Sequence, residues 1–197
     1  MQTTEKHLLR FELSPFVFEK ADFEPYISIK TIKVHYGKHH QGFINKLNKG
    51  LTETWLTDAF IEDILNDVSK CRDTIRNYGG GHYNHSFFRK SLSSGWGEPF
   101  GKLLDEIKKI FQSFEVLKEW LKNAATGPVG FGWVWLIYNE YNQLEIGSTP
   151  NQDNPLMDIS ESKGYPLIGL DIWKHACCLE YQNKREDYLN AFWNVVD

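Results

Sequence analysis

Asp171-Ile-Trp-Lys-His175, near the C-terminal end of the sequence, sets a carboxylate, an indole and an imidazole at alternating positions. Far upstream stand two more imidazoles, His35 and His85, each inside an apolar, helix-like stretch. Three histidines and one aspartate from three distant segments make a first coordination shell for one transition metal, suited to redox or hydrolytic chemistry. Ligation by nitrogen and oxygen alone suits manganese, iron or zinc and disfavours soft-metal sites. With solvent added, the set exceeds the tetrahedral shell of structural zinc. Hydrolytic zinc would need a general base near its water, and no glutamate occupies an HExxH-like position. A non-haem iron oxygenase uses two histidines and a carboxylate with open positions, and here the third histidine takes one. Taken singly, a histidine on an apolar helix face is ordinarily a satisfied core residue. The surrounding glycines and aromatics are what set these apart.

The elements that must position these groups divide into two lobes, 1–95 and 96–197. Ser28 N-caps a predicted helix from Ile29 to Asn48, with Gly50 as its C-terminal glycine. On it Ile32, His35, His39 and Phe43 follow helical spacing, so one stripe mixes apolar groups with imidazoles. A short helix is expected over 58–67, capped by Thr57 or Asp58. Another is expected over 69–91, interrupted by Gly79-Gly80-Gly81. Each glycine inside a helix costs about 1 kcal/mol relative to alanine, yet Asn84, His85, Phe87 and Phe88 resume the helical pattern at once. The triplet therefore predicts close approach of another group beside His85, or else a plain turn between two helices. After the turn-rich Ser94-Gly95-Trp96-Gly97, two amphipathic helices follow. Leu103, Leu104, Ile107, Ile110 and Phe111 mark one, and Phe114, Leu117, Trp120 and Leu121, after Ser113, mark the other. The period then changes. Residues 132–138 and 143–149 flank Asn139-Glu-Tyr-Asn142 as a β-hairpin, and 165–171 reads as a third strand ending on Asp171. A helix over 175–196 closes an α+β chain: a helical-hairpin lobe, then a small three-stranded antiparallel sheet flanked by helices.

Composition narrows the function classes. At 197 residues the chain can bury a substantial core. Aromatics at 15%, including seven Trp, exceed what such a core needs, so some should line a site. A net charge of -4 without a Lys/Arg run gives no nucleic-acid or membrane-surface footprint. The first ten residues lack the apolar stretch of a signal peptide, and no apolar run approaches the roughly 18 residues of a spanning helix. Three cysteines, Cys71, Cys177 and Cys178, make neither a disulfide framework nor a zinc spacing. A soluble, cytoplasmic protein is expected, with the cysteines as small buried hydrophobes.

Several motifs together resemble the iron/manganese superoxide dismutases, from about Phe11 to Val196. They are Val34-His-Tyr-Gly-Lys-His-His40, Gly79-Gly-Gly-His-Tyr-Asn-His85, Gly132-Trp-Val-Trp135, Asn151-Gln-Asp-Asn-Pro-Leu156 and Asp171-Ile-Trp-Lys-His175, extended by Tyr181-Gln-Asn183 and Ala191-Phe-Trp-Asn-Val195. The resemblance implies a mononuclear metal between two lobes, with His35, His85, Asp171 and His175 matching the ligands. It implies disproportionation of superoxide to oxygen and peroxide, the metal alternating between +3 and +2. An outer-sphere glutamine distinguishes the subgroups. In iron-type members it stands where this chain has Gly81, and in manganese-type members it comes from the β lobe, where this chain has Gln152. One manganese per chain is therefore implied, with iron as second choice. Gly81 is expected to leave room for the Gln152 amide, which would tune the metal and its solvent. Trp133, Trp135 and Trp173 are expected to wall the site. His39 corresponds to a gateway histidine, and nearby cations such as Lys38 would aid capture of a small anion.

Beyond the ligands the chain departs from the family pattern. Phe43 stands where a gating tyrosine is usual, which keeps the shape and removes a donor. Lys174 replaces a glutamate that crosses the dimer interface to the partner's ligand histidine, and lysine has only donors. Cys178 replaces a tyrosine that reaches the partner's gateway histidine. The resemblance thus implies a homodimer that is altered or weakened. These departures also motivate an alternative, a metal-binding relative with weak or no dismutase activity that serves as a binding or interaction protein. His7 and His82 are read as structural or exposed.

Overall fold

Ser28 accepts the Thr31 N–H at 3.2 Å and starts the first helix where its capping chemistry predicts. The computed structural model describes residues 10–15, 23–52, 54, 56, 58–93, 97–127, 131–173, 181 and 184–197. Helix α1 (Ile29–Val34) runs into a π turn, His35–His40, and on into α2 (Gln41–Leu51). The helix passes Gly50 instead of ending there, because that residue keeps helical geometry against Ile75. The wider π turn also rotates the apolar stripe out of its expected phase. His40, Ile44, Leu47 and Leu51 are buried, whereas His35, His39 and Phe43 are only half-buried.

Helix α3 (Ile61–Asn66) starts later than expected, because Asp63 accepts the Phe60 N–H at 3.3 Å. After a 3-10 turn at Val68–Lys70, α4 (Asp73–Lys90) runs straight through the three glycines. The triplet does not interrupt the helix. It is a place where other groups press on it.

Helices α5 (Gly101–Phe111) and α6 (Phe114–Thr126) follow, the second capped by Ser113, which accepts the Val116 N–H at 3.2 Å. Strands β1 (Gly132–Tyr138), β2 (Leu144–Pro150) and β3 (Tyr165–Asp171) form an antiparallel sheet in the order β2-β1-β3. Central β1 is buried almost end to end, as its unbroken apolar run requires. Its register sets Trp133 opposite Thr149 on one side and Asp171 on the other. The expected closing helix over 175–196 is shorter where it is described. Lys184 is non-helical, α7 spans Arg185–Phe192, and Val196 instead bridges Leu92.

The main core joins Phe23, Ile27, Ile32, Phe88 and Leu92 from the first half to β1, α5, α6 and α7. A smaller core of Leu47, Leu51, Leu56, Ile64 and Ile75 packs α2 and α3 against α4. Among the described residues, no helix is long and apolar enough to cross a membrane.

Candidate metal centre

Asp171 closes β3 beside Trp133 and is fully buried. Its Oδ1 accepts the Trp173 N–H at 2.9 Å, which orients the carboxylate. Its Oδ2 lies 2.9 Å from His35 Nε2, on the π turn. His85, on α4, is 1% exposed, and its Nδ1–H donates to the Gly81 carbonyl at 2.8 Å. That bond sets the tautomer and makes Nε2 the lone-pair nitrogen, the form a metal-binding imidazole takes. The His35 and His85 rings stand 4.6 Å apart, and one ligand atom from each of His35, His85 and Asp171 lies within 4.8 Å of the other two.

Burial, reinforced by neighbouring His35, holds His85 well below the ordinary imidazole range, so the ring is neutral at neutral pH. Two imidazoles and a carboxylate in a buried pocket, one imidazole fixed by a backbone carbonyl, fit an iron or manganese ion by donor type and spacing. His175 lies outside the described residues, as do Lys174, Cys177, Cys178, Thr57, Trp96 and His7. Cys71 is a free, half-buried thiol.

The groups beyond these donors come together in part as expected. Gln152 is 3% exposed and accepts the Trp133 indole N–H at 3.3 Å. Trp133 meets the His85 ring edge-on at 5.5 Å and stacks on Trp135 at 5.5 Å, so the indoles wall the site. Trp173 turns its indole to the Asn151 carbonyl at 3.1 Å and stacks on Phe131. Phe43 lies 5.1 Å from the His85 ring.

The nearest neighbour of Gly81 is the Phe43 ring. A Cβ there would lie 2.5 Å from the Phe43 ring, so the ring fills that space. The segment carrying Gln152 presses instead on Gly80, where a Cβ would overlap the Gln152 carbonyl oxygen. The Gln152 backbone therefore packs onto α4 at Gly80.

Residues beyond the expected ligands and indoles also surround the site. A small cavity beside the donors is lined by His35, Tyr36, His40, His85 and Arg89; His39 is half-buried on the same π turn but does not line it. His40, only 2% exposed, has its Nε2 3.0 Å from His82 Nδ1. Burial, with His82 and His35 beside it, pushes His40 down to about 3, and burial pushes His82 down to about 4. Of the two readings, structural or exposed, His82 takes the structural one, as a buried partner of His40. Asn84 and the Arg76–Asp153 pair fasten the Gln152 segment to α4. The one signal for Asn84 in the sequence was a polar residue sitting next to His85 in an otherwise tightly packed stretch.

Residues 10–93 match the iron/manganese superoxide dismutases, alpha-hairpin domain, and residues 99–197 match their C-terminal domain. The chain is 42% identical over 193 residues to a protein of Acinetobacter baylyi named as a manganese superoxide dismutase, covering 96% of this chain and 85% of that one. It is 45% identical over 180 residues to a protein of the same name from Buchnera aphidicola, covering 88% of each chain.

Proposed function

The chain belongs to the iron/manganese superoxide dismutases, and from that premise we propose that it disproportionates superoxide to oxygen and hydrogen peroxide at one metal ion held by His35, His85, Asp171 and His175. The observation that carries the reading is the convergence of His35, His85 and Asp171 donor atoms in one buried place from three distant segments. Manganese is the first choice and iron the second. A glutamine side chain at position 81 would collide with Phe43, which supports Gln152 as the amide that serves the site. The names of the two relatives agree with manganese.

When bound, the ion supplies a one-electron redox centre alternating between +3 and +2. The chain's own groups set the conditions around it. Trp173 N–H and the Gly81 carbonyl orient Asp171 and His85, so the donors do not have to reorganise. Trp133 and Trp135 exclude bulk water and strengthen each polar contact inside. Gln152 gives its Oε1 to Trp133, which leaves its NH2 end to donate to solvent held at the site and so to bias where a proton rests. Phe43 narrows the approach beside His85 without offering a donor. Exposed Lys38, next to His39, adds positive charge near the entrance and would attract a small anion.

Reconstitution with manganese or iron, followed by metal analysis and a superoxide-scavenging assay, tests this reading. One metal per chain with turnover supports it, and loss of metal in His85→Gln or Asp171→Asn supports the ligand set. Full metal with negligible turnover would favour the alternative, a metal-binding interaction protein, for which Phe43, Lys174 and Cys178 are the motivating departures. Failure to bind either metal would sink both. We further propose two lobes, 1–95 and 96–197, a cytoplasmic location in keeping with the cysteine usage, and a homodimer altered at Lys174 and Cys178. The stacked Phe131 and Trp173, with Phe131 42% exposed, supply an apolar face near that segment for a second copy.

A further inference from the structure

We propose that Asn84 is a positioning residue for this reaction: through the backbone of the 151–154 turn, its buried side chain sets where the Gln152 amide stands relative to the metal site. The proposal rests on the reading of Gln152 as donor to the site's solvent. Asn84 is 0% exposed and immediately precedes His85 on α4. Its Nδ2 donates to the Gln152 carbonyl at 3.1 Å and lies 3.4 Å from the Asp153 carbonyl. Its Oδ1 accepts from Asn154 Nδ2 at 3.0 Å, and Asn154 is equally buried. Both ends of one amide are thus spent on a single turn. A side chain with so many buried partners has little freedom to move, and neither has the turn.

Two further contacts brace the same turn. From outside, Arg76 forks onto the Asp153 carboxylate, with Nε at 2.8 Å and Nη2 at 2.6 Å. From the sheet, Thr149 Oγ1 donates to the Asp153 carbonyl at 2.6 Å while accepting the Trp135 indole N–H at 2.9 Å. Gly80 lets the Gln152 carbonyl descend onto the helix. The backbone of Gln152 is therefore fastened to the helix that carries ligand His85, so amide and imidazole share one frame. A shift of the turn would carry the amide away from the site while leaving the ligands in place. Outer-shell displacements of this kind lower activity by about 10- to 100-fold.

The test compares Asn84→Ser, Gln152→Ala and the double variant in the full-length chain. Two readouts go beyond rate. One is the pH midpoint at which the visible absorption of the oxidised, manganese-loaded protein changes. The other is the Trp133 indole ¹H–¹⁵N resonance in the metal-free protein, which reports the Gln152 contact without any metal. Asn84→Ser should keep its manganese, lose about tenfold in turnover, and move both readouts in the direction that Gln152→Ala moves them. In the double variant it should add nothing to the Gln152→Ala shift. Lower stability with both readouts unmoved would make Asn84 merely structural and overturn the proposal, as would an equal shift with and without Gln152. If Gln152→Ala itself leaves the pH midpoint unmoved, the reading of Gln152 fails and this proposal falls with it. That result differs from failure of the positioning role alone, in which Gln152→Ala shifts and Asn84→Ser does not. Should Asn84→Ser fail to fold, half-exposed Arg76→Met replaces it. A smaller shift in the same direction is then expected, and no shift would refute the role.

Discussion

Three consecutive glycines in one helix should respond in three different ways to the same added methyl group. At Gly79 a Cβ would meet Ile61, Leu47 and Leu65 at 3.6–3.8 Å, ordinary van der Waals contact. Alanine there gains about 1 kcal/mol in helix propensity and up to about 0.8 kcal/mol from a buried carbon. Gly79→Ala should therefore stabilise the protein by about 1–2 kcal/mol. At Gly80 the Cβ would overlap the Gln152 carbonyl oxygen and lie 2.8 Å from Met157 Cε. The turn would have to retreat by about 1 Å to restore contact distance. Overpacking costs about 1–3 kcal/mol, and the Asn84 bond to the displaced carbonyl takes away about another 1 kcal/mol. Set against the same propensity gain, Gly80→Ala should destabilise by about 1–3 kcal/mol. Gly81→Ala should fall between, because its Cβ meets the Phe43 ring at 2.5–2.7 Å and a ring can shift where a backbone cannot. Urea denaturation of the metal-free variants is the appropriate assay, since bound metal would add stability by mass action. For a chain of 197 residues the gap between Gly79→Ala and Gly80→Ala corresponds to roughly 10 °C in melting temperature. If Gly79→Ala proves no more stable than Gly80→Ala, the stated packing against α4 is wrong.

Phe43→Tyr should raise turnover per manganese by about tenfold with metal content unchanged, because the ring already sits against His85 and lacks only a donor; a superoxide-scavenging assay showing no gain would remove Phe43 as a cause of slow turnover. His40 and His82 stay neutral in the fold down to about 3 and about 4, whereas in the unfolded chain they protonate near 6.5. Their contribution is thus present above about pH 6.5 and is lost as pH falls toward 4, where the unfolded chain binds the additional protons. The denaturation midpoint of the metal-free protein should decline from pH 7 to pH 4, less steeply in His82→Gln, and a flat profile would contradict the buried pair. Lys174→Glu should tighten self-association in sedimentation velocity, and an unchanged profile would mean that the facing surface does not rely on a carboxylate there.

Local chemistry was readable from sequence wherever one residue acts on its own neighbours. Ser28 and Ser113 cap the helices they precede, because an N-cap bond spans only three residues. The segment ending on Asp171 forms a strand with the expected bounds. Motif order then brought the family, and with it the expected ligands, of which His35, His85 and Asp171 converge. The sequence pattern misled where the period itself changed, since a straight helical count cannot foresee a π turn and so set His39 and Phe43 on the stripe that His40 and Ile44 bury.

What the sequence determined by itself, then, was the chemical inventory: imidazoles, a carboxylate, an amide and a helix with three side-chain-free positions. Which of those positions faces which neighbour was decided only by tertiary packing. Gly80 takes the Gln152 carbonyl and Gly81 the Phe43 ring, contacts between groups tens of residues apart. The reason is geometric. Spacing along a chain reports the face of a helix on which a residue lies, but the partner that arrives at that face is chosen by how helices and sheet close on one another.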